Sequence, residues 1–125
     1  MPLKLGSLFD GIGVFPLAAV NCGITPAWAS EIEKAPVSIT RRHFPEMKQL
    51  GDITKLNGAE LEPVDILTFG SPCQNLSTAG DREGLAGKKS GLFYEAIRII
   101  REMRDATNGI YPAFAVWENV MGAFS

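Results

Sequence analysis

Apolar and polar positions alternate along the chain with two different periods. Short apolar runs are bounded by turn-forming residues, and longer segments between some of them repeat apolar side chains at helical spacing. The short runs predict strands over residues 3–9, 27–30, 48–50, 65–69 and 114–117. The longer segments predict helices over residues 14–22, 33–43 and 92–105, with a turn or short helix at 55–61. Such alternation predicts an α/β fold in which a parallel sheet carries helices on both faces.

The last predicted helix has the clearest pattern. The apolar positions that recur in it at helical spacing are Leu92, Phe93, Ala96, Ile97, Ile100 and Met103. Ser90 can cap its start, and Asn108–Gly109 is a typical helix end. The basic residues Arg98, Arg101 and Arg104 are expected on a solvated face of this helix.

Residues with chemically useful side chains follow the predicted strands directly. In a parallel α/β sheet, ligands bind beyond the carboxyl ends of the strands, so residues at these positions share one edge. The residues that follow the strands are Asp10–Gly13, Glu31, Asp52, Pro72–Gln74 and Glu118–Asn119. The sequence therefore predicts one site along this edge of the sheet.

Three of these groups describe a pocket for an adenosine-like ligand. Gly11 and Gly13 allow the backbone to approach a ligand at a helix start, although a tight strand-to-helix turn would also need them. Glu31 can accept the two hydroxyls of a ribose, or it is an exposed carboxylate that follows a strand. Asp52 can accept from the exocyclic amine of a purine, or it caps a turn. No P-loop lysine is present, which favours a nucleoside with a cationic or uncharged tail.

Cys73 follows Pro72 at the end of a predicted buried strand, where a thiol can act as a nucleophile. An inert buried cysteine is the alternative, and we assign Cys22 on the first helix to that kind. The only histidine, His43, ends the second helix away from the predicted site, so a cysteine–histidine hydrolase is disfavoured. Glu118 ends the strand expected beside that of Cys73. Its carboxyl group could donate a proton to a ring nitrogen while a thiolate adds to the ring.

The composition fits one soluble domain. The chain has 125 residues, 46% hydrophobic and 21% charged, and no apolar run approaches the ~20 residues that span a bilayer. The N-terminus carries no apolar signal-peptide core, so a cytoplasmic protein is expected. A formal net charge of −2 argues weakly against a stand-alone nucleic-acid binder. No cysteine–histidine spacing suggests a metal site, and no metal is expected.

Six segments of the chain resemble the motifs of a known family. They are Phe9–Gly13, Glu31, Gly51–Ile53, Gly70–Gln74, Gly91–Phe93 and Glu118–Val120. Their order and spacing resemble the first six motifs of the C5-cytosine-specific DNA methyltransferases, and Pro-Cys-Gln with Glu-Asn-Val is a specific pair. The resemblance spans essentially the whole chain. It implies a Rossmann-like, S-adenosylmethionine-dependent methyltransferase fold with an incomplete parallel sheet.

The resemblance implies a binding site for S-adenosylmethionine, with S-adenosylhomocysteine as the product. Phe9 and Ile32 would pack on the adenine, and Glu31 would bind the ribose hydroxyls. Asp52 and Ile53 would read the edge of the adenine. The full implied set, with two glycines beside the methionine part and a leucine that closes the pocket, is Phe9, Gly11, Gly13, Glu31, Ile32, Asp52, Ile53 and Leu92.

The resemblance also implies the catalytic chemistry. Cys73 would attack C6 of a cytosine flipped out of the DNA duplex. Glu118 would hold N3 and the exocyclic amine of that base. C5 then takes the methyl group and loses its proton, and the thiol is eliminated. Pro72, Gln74 and Asn119 belong to the same two catalytic motifs.

The chain departs from the family pattern in a few places. Ser7 and Val14 replace residues that relatives often carry, and both changes look tolerable. Residues 74–91 would form a mobile loop over the target strand. The resemblance also calls for further strands, an arginine-bearing motif, a target-recognition domain and a late cofactor segment beyond Ser125. We therefore expect residues 1–125 to be the N-terminal part of a bacterial or phage-encoded catalytic domain, inactive by itself.

Two other functions stay open at the level of sequence. One is methylation of cytosine in RNA, because the same thiolate chemistry serves both nucleic acids. The other is a non-catalytic module that binds the cofactor or a partner chain. Double-stranded DNA is the expected partner of the complete enzyme, in a restriction–modification setting. The apolar strand at 114–117 would be a bare sheet edge, which predicts a homo-oligomer or a complementing chain there.

Overall fold

The computed structural model describes residues 2–70 and 91–118. Within these ranges the strands are β1 (Lys4–Leu8), β2 (Thr25–Ser30), β3 (Lys48–Gln49), β4 (Ile66–Gly70) and β5 (Phe114–Glu118). The α-helices are α1 (Val14–Asn21), α2 (Lys34–His43) and α3 (Gly91–Ala106), and a 3₁₀ helix covers Ile53–Lys55. Every strand and α-helix predicted from the periodicity is present.

The strands form a parallel sheet in the order β3-β2-β1-β4-β5. From β1 the chain passes through α1 to β2 and through α2 to β3, and it then returns to the other side of β1 for β4 and β5. Right-handed crossovers in opposite directions place α1 and α2 on one face and α3 on the other. This arrangement confirms the predicted Rossmann-like fold, and the strand order reverses between β1 and β4.

The main core lies between the sheet and α3. Its buried side chains are Leu8, Trp28, Ile53, Val64, Leu67, Phe69, Ala96, Ile99 and Met103. Trp28 packs against Gly6, where a Cβ atom would overlap the indole ring. The indole N–H donates to the Glu62 carbonyl at 2.9 Å. Burying each large apolar side chain contributes about 1.5–3 kcal/mol, so this cluster is what holds α3 on the sheet.

The opposite face of the sheet carries smaller side chains. Leu5 and Ser7 alternate along β1 with the residues that face α3, and both are buried. Pro16 and Ala19 are the buried residues of α1, and Thr40 is the buried residue of α2. Because most of these side chains are small, α1 and α2 can approach the strands closely.

The structure differs from the predicted elements mainly at their ends. The expectation that Cys22 is a buried cysteine is wrong, because it follows the end of α1 and is exposed. β2 begins at Thr25 rather than at residue 27, because the Thr25 N–H donates to the Leu3 carbonyl at 2.9 Å. The turn predicted within 55–61 is present over residues 58–60, and a 3₁₀ helix, Ile53–Lys55, precedes it. None of the helices in the described ranges is long and apolar enough to cross a membrane.

Helix α3 covers its predicted segment and one further residue at each end. Beyond it, Asn108 and Gly109 adopt φ values of 55° and 79°, the left-handed conformation that ends a helix. The predicted cap, Ser90, lies outside the described residues. The expectation that Arg98 lies on a solvated face is wrong, because its side chain is only 31% exposed and its guanidinium donates to two backbone carbonyls. Arg104 donates to the Pro112 carbonyl at 2.6 Å.

Candidate functional site

The carboxyl ends of the strands open into a cavity of about 580 Å³. Its walls come from the turn after β1, the ends of β2, β4 and β5, the start of the 3₁₀ helix and the first turn of α3. The predicted cofactor residues that line it are Phe9, Gly11, Glu31, Ile32, Asp52, Ile53 and Leu92. Gly13 is not among the lining residues, and it packs instead against Thr40 and Phe44. The fold thus gathers seven of the eight predicted residues around one space.

The turn between β1 and α1 uses left-handed backbone. Phe9, Gly11 and Gly13 have φ values of 54°, 61° and 87°. Glycine adopts this conformation readily, whereas a residue with a side chain loses about 1–3 kcal/mol in it. The Asp10 N–H donates to the Ser30 carbonyl at 3.1 Å and ties the turn to β2. Strain at Phe9 is typical of a functional site, because the surrounding fold has to hold it.

Glu31 braces this turn from the end of β2. Its Oε1 accepts from the Gly11 N–H at 2.8 Å, and its Oε2 accepts from the Glu33 N–H at 3.0 Å. Each carboxylate oxygen has a second lone pair, so these bonds leave acceptor capacity for a ligand hydroxyl. Glu31 is therefore more than an exposed carboxylate after a strand. Its predicted contact with a ribose stays a prediction.

Asp52 both lines the cavity and caps the 3₁₀ helix. Its Oδ1 accepts from the Thr54 N–H at 2.9 Å and from the Thr54 hydroxyl at 2.8 Å. Both bonds lower the pKa of the Asp52 carboxyl, and the bond from the backbone N–H has the larger effect. The carboxyl is therefore charged at neutral pH. The alternative of a capping aspartate is thus correct, and it does not exclude a ligand contact through Oδ2. Ile53, the next residue, is 3% exposed and joins the core below the cavity.

Asp10 is a site residue to which the sequence reasoning assigned no role. The Ser7 hydroxyl donates to its Oδ1 at 2.7 Å, and its Oδ2 is buried without a hydrogen-bond partner among the described residues. Burial, with a smaller contribution from the nearby Glu31 charge, raises the pKa of Asp10 to about 6, although the Ser7 bond opposes this. The available signal was an acidic residue at the end of the first strand, directly before a glycine.

The two strands that lead to the predicted catalytic residues are neighbours, as predicted. Gly70 at the end of β4 pairs with Glu118 at the end of β5, and both line the cavity. The strand that leads to Cys73 therefore lies beside the strand that ends in Glu118. The predicted site residues outside the described ranges are Pro72, Cys73, Gln74 and Asn119.

Three aromatic rings support this end of the sheet. Trp117 stacks on Phe69 with ring centroids 6.3 Å apart, and it meets Phe93 on α3 with centroids 4.6 Å apart. Phe69 and Phe93 also contact each other, at 6.0 Å. Such clusters add about 0.5–1.5 kcal/mol per pair beyond the buried area. They fix the first turn of α3, which carries Leu92, against the strands that end at the cavity.

Every charged side chain that lines the cavity is acidic among the described residues. Its charged lining residues are Asp10, Glu31, Glu33, Asp52 and Glu118, and no lysine or arginine of the described residues lines it. A cleft lined by one sign of charge concentrates ligands of the opposite sign and repels phosphate chains. The charge of the cavity is therefore suited to a ligand with a positively charged part. In the same ranges no group of three His, Cys, Asp or Glu side chains is arranged to hold a metal ion.

Fold and cavity together define a Rossmann-like α/β protein with a cavity where the strand order reverses, the position at which open α/β sheets generally bind ligands. The sequence model described as C-5 cytosine-specific DNA methylase matches residues 3–125. The chain belongs to this family of DNA methyltransferases.

Curated relatives of moderate identity are named methyltransferases, and one of the names specifies adenine rather than cytosine. The type II methyltransferase M.HhaI of Haemophilus parahaemolyticus is 35% identical over 118 positions, covering 94% of this chain and 34% of that protein. The orphan methyltransferase M.SPRI of Bacillus phage SPR is 35% identical over 124 positions, covering 96% and 27%. A protein of Escherichia phage P1 named DNA N-6-adenine-methyltransferase is 35% identical over 129 positions, covering 98% and 17%. The chain thus spans 17% to 34% of the length of these relatives.

A solved structure shares the fold. It is a DNA modification methyltransferase encoded within an Escherichia coli prophage, with a TM-score of 0.77 and 24% sequence identity. The match covers 98% of this chain and 33% of that one. Nearly all of the present chain thus corresponds to about a third of that methyltransferase.

Proposed function

We propose that this chain is the cofactor-binding and nucleophile-bearing part of a DNA (cytosine-5-)-methyltransferase that acts in a bacterial cytoplasm. One observation carries the proposal. Glu31 and Asp52, which suit a nucleoside cofactor, share a cavity with Glu118, which stands beside the strand leading to Cys73. A methyl donor and a base acceptor have to meet within one such space, because the methyl group passes directly between them.

The described residues fit S-adenosylmethionine, which supplies an electrophilic methyl group when bound. Its positive charge complements the acidic cavity lining. Glu31 retains acceptor capacity for the ribose hydroxyls, and Oδ2 of Asp52 would accept from the exocyclic amine. Phe9 and Ile53 would supply apolar contacts to the adenine. Ile32, which is 65% exposed, would be covered by the bound cofactor.

The proposed chemistry uses two side chains at the ends of β4 and β5. The Cys73 thiolate adds to C6 of a flipped-out cytosine, and the negative charge moves onto the ring. Glu118 holds N3 and the exocyclic amine and so stabilises the adduct. C5 accepts the methyl group and then loses its proton to a base. The bond between sulfur and C6 breaks, which restores the thiolate.

Titration calorimetry with S-adenosylmethionine tests the cofactor half of the proposal. We expect the purified protein to bind it, and we expect Glu31→Gln to weaken binding by about tenfold or more, since a bond to a charged acceptor is lost. Glu46→Gln is the matched control, because Glu46 is exposed and lies before β3, away from the cavity. Equal affinities for the two variants would count against the assigned role of Glu31.

Covalent trapping tests the nucleophile. The experiment uses a family methyltransferase of full length in which this chain replaces the matching N-terminal segment, with a DNA duplex carrying 5-fluorocytosine. Fluorine replaces the proton that C5 has to lose before the thiol is eliminated. We therefore expect a stable protein–DNA adduct, and we expect Cys73→Ala to abolish it. An adduct that persists in Cys73→Ala would overturn the assignment of Cys73.

The β5 strand is the proposed contact with a further chain. β5 is the outermost strand of the described sheet on its side, and Phe114 and Val116 on it are 67% and 45% exposed. Unpaired backbone and apolar side chains on an edge strand favour pairing with another strand. We propose that this edge pairs with a second copy or with a complementing chain. Double-stranded DNA is the proposed partner of the complete enzyme.

A further inference from the structure

Arg98 joins α3 to the segment that follows β3. Its Nη1 donates to the Leu56 carbonyl at 2.7 Å, and its Nη2 donates to the Ile53 carbonyl at 2.9 Å. The other N–H groups donate to Glu95, at 3.0 and 3.3 Å, and to Glu102, at 2.8 Å. All five N–H groups of the guanidinium therefore have an acceptor.

Glu102 extends this network to a second point. Its Oε1 accepts from Arg98 and also from the Gly58 N–H, at 2.8 Å. Gly58 lies so close to α3 that a Cβ atom there would overlap the Ile99 carbonyl oxygen. The side chains of Arg98 and Glu102 are 31% and 32% exposed, so these bonds form partly out of water and are stronger than surface ion pairs. Helix α3 thus holds residues 53–58 at both ends.

Residues 53–58 support the part of the cavity wall that Asp52 and Ile53 form. Asp52 directly precedes it and accepts from Thr54 inside it, so the position of the Asp52 carboxylate follows that of the 3₁₀ helix. The remaining described hydrogen bonds of residues 53–58 join neighbours in sequence, such as the Leu56 N–H to the Ile53 carbonyl. Local bonds of this kind shape the turn. The bonds to α3 place it relative to the sheet, together with the buried Ile53 side chain and the bond that the Ser30 hydroxyl donates to the Gly51 carbonyl at 2.6 Å.

We propose that Arg98 is a positioning residue that fixes Asp52 and Ile53 at the adenine edge of the cofactor site. The inference rests on the proposed function, since it takes the bound nucleoside to be adenosine. Arg98 does not line the cavity, so it acts through the backbone of Ile53 and Leu56. Its loss alters recognition of the purine edge and leaves contacts to the ribose and methionine parts in place.

A lysine cannot replace this arginine. Two carbonyls and two carboxylates share one planar guanidinium, and an ammonium group with three donors on one atom cannot reach all four. Arg98→Lys keeps the positive charge on the helix and removes the planar arrangement of five N–H donors. It therefore separates positioning from electrostatics, and we expect it to resemble Arg98→Ala.

The ligand test compares S-adenosylhomocysteine with its inosine counterpart, in which a carbonyl oxygen replaces the exocyclic amine. We expect the wild-type protein to prefer the adenosine form by roughly tenfold or more, since Asp52 accepts from an amine and repels a carbonyl. In Arg98→Lys and Arg98→Ala the preference should fall severalfold, while affinity for the inosine form changes less. Arg101→Ala, an exposed arginine on the same helix, should keep the wild-type ratio.

The outcomes separate the two proposals. Wild-type binding with an unchanged ratio in both Arg98 variants would overturn the role of Arg98 and leave the cofactor site intact. A wild-type protein that binds neither ligand would overturn the cofactor site itself, and the role of Arg98 with it.

Amide hydrogen exchange supplies a test that needs no ligand. In Arg98→Lys we expect faster exchange at Thr54, Lys55 and Leu56, with β1 and β4 at wild-type rates. Local opening of this kind exposes one segment and leaves the core closed. A uniform increase throughout the protein would mean that Arg98 serves overall stability, and unchanged rates at the three amides would mean that it does not hold the segment. Either result contradicts the proposal.

Discussion

The acidic residues of the cavity differ in how many hydrogen bonds their carboxylate oxygens accept. Glu31 and Asp52 accept hydrogen bonds from backbone N–H groups, whereas Oδ2 of Asp10 is buried without a partner in the described ranges. A buried acceptor without a donor costs about 1–3 kcal/mol, and a charged one costs more. The folded protein carries that cost at a position that faces its proposed ligand, and a cation bound nearby would reduce it.

The Asp10 carboxyl should make stability depend on pH. Its pKa is raised from 3.8 to about 6, so the folded state binds the proton more tightly than the unfolded chain does. Its contribution to stability is therefore complete below pH 3.8 and is lost as the pH rises through about 6. We expect Asp10→Asn to remove about 1–3 kcal/mol of this decline, as measured by urea unfolding between pH 4 and pH 7.5.

Asp105→Asn is the control for this measurement, because Asp105 is exposed on α3. Its stability profile should follow that of the wild type. Parallel profiles for wild type and Asp10→Asn would show that the Asp10 carboxyl keeps an ordinary pKa in the folded protein.

At the scale of elements, close approach between neighbours sets the geometry of the sheet. β1 and β2 are joined by a parallel register with an irregularity between Leu5 and Gly6, and the Trp28 ring fills the space above Gly6. The indole therefore lies where the side chain of any other residue at position 6 would project. This arrangement places the end of β2, with Glu31, beside the turn that follows β1.

Gly6→Ala should destabilise the protein by about 1–3 kcal/mol, because the added methyl group overlaps the Trp28 ring and overpacked cores relax only partly. Chemical denaturation followed by tryptophan fluorescence measures the change. Gly91→Ala is the control, since no atom of the described residues lies within 4 Å of a Cβ built there. That variant should be neutral or more stable by up to about 1 kcal/mol. Equal effects of the two substitutions would refute the packing argument.

The β5 edge predicts self-association or a poorly stable isolated chain. Val116→Lys places a charge on the exposed side of this edge, which disfavours strand pairing, and should shift any assembly toward monomer in light scattering. Val20→Lys, on the exposed side of α1, is the control and should leave the assembly unchanged. A wild-type protein that is monomeric and well folded would contradict the prediction.

At the scale of the whole molecule, the described cavity gathers the side chains proposed to bind the cofactor and also Glu118, which is proposed to hold the target base. The chain spans 17% to 34% of the length of the relatives described above, and its formal net charge is −2. Binding to DNA depends on lysine and arginine at phosphates, which an acidic chain supplies poorly. We therefore propose that the 125-residue chain contributes the cofactor-binding site and the nucleophile. The surface that recognises DNA would belong to a different polypeptide segment.

We expect the purified 125-residue chain to transfer no methyl group to DNA. Incorporation of label from S-adenosylmethionine into duplex DNA measures this, with a family methyltransferase of full length as the positive control. Incorporation by the chain alone would contradict the prediction and would mean that it holds DNA without a separate recognition domain.

The sequence by itself determined which segments form strands and helices and which residues stand at the strand ends. Periodicity, glycine turns and helix ends act over a few neighbouring positions, so Glu31, Asp52 and Glu118 could be placed on one edge without coordinates. The order and spacing of the motifs then identified the family, and the match of the family's sequence model over residues 3–125 confirms it.

Only the tertiary structure decided the environment of particular side chains. Asp10 loses water because the turn after β1 folds against the end of β2, and Trp28 needs glycine on the neighbouring strand. Arg98 was expected in solvent, and it instead bonds to carbonyls 42 and 45 residues away in the sequence. Burial and long-range hydrogen bonds depend on which elements meet in space, and the local patterns that define each element carry no record of its distant partners.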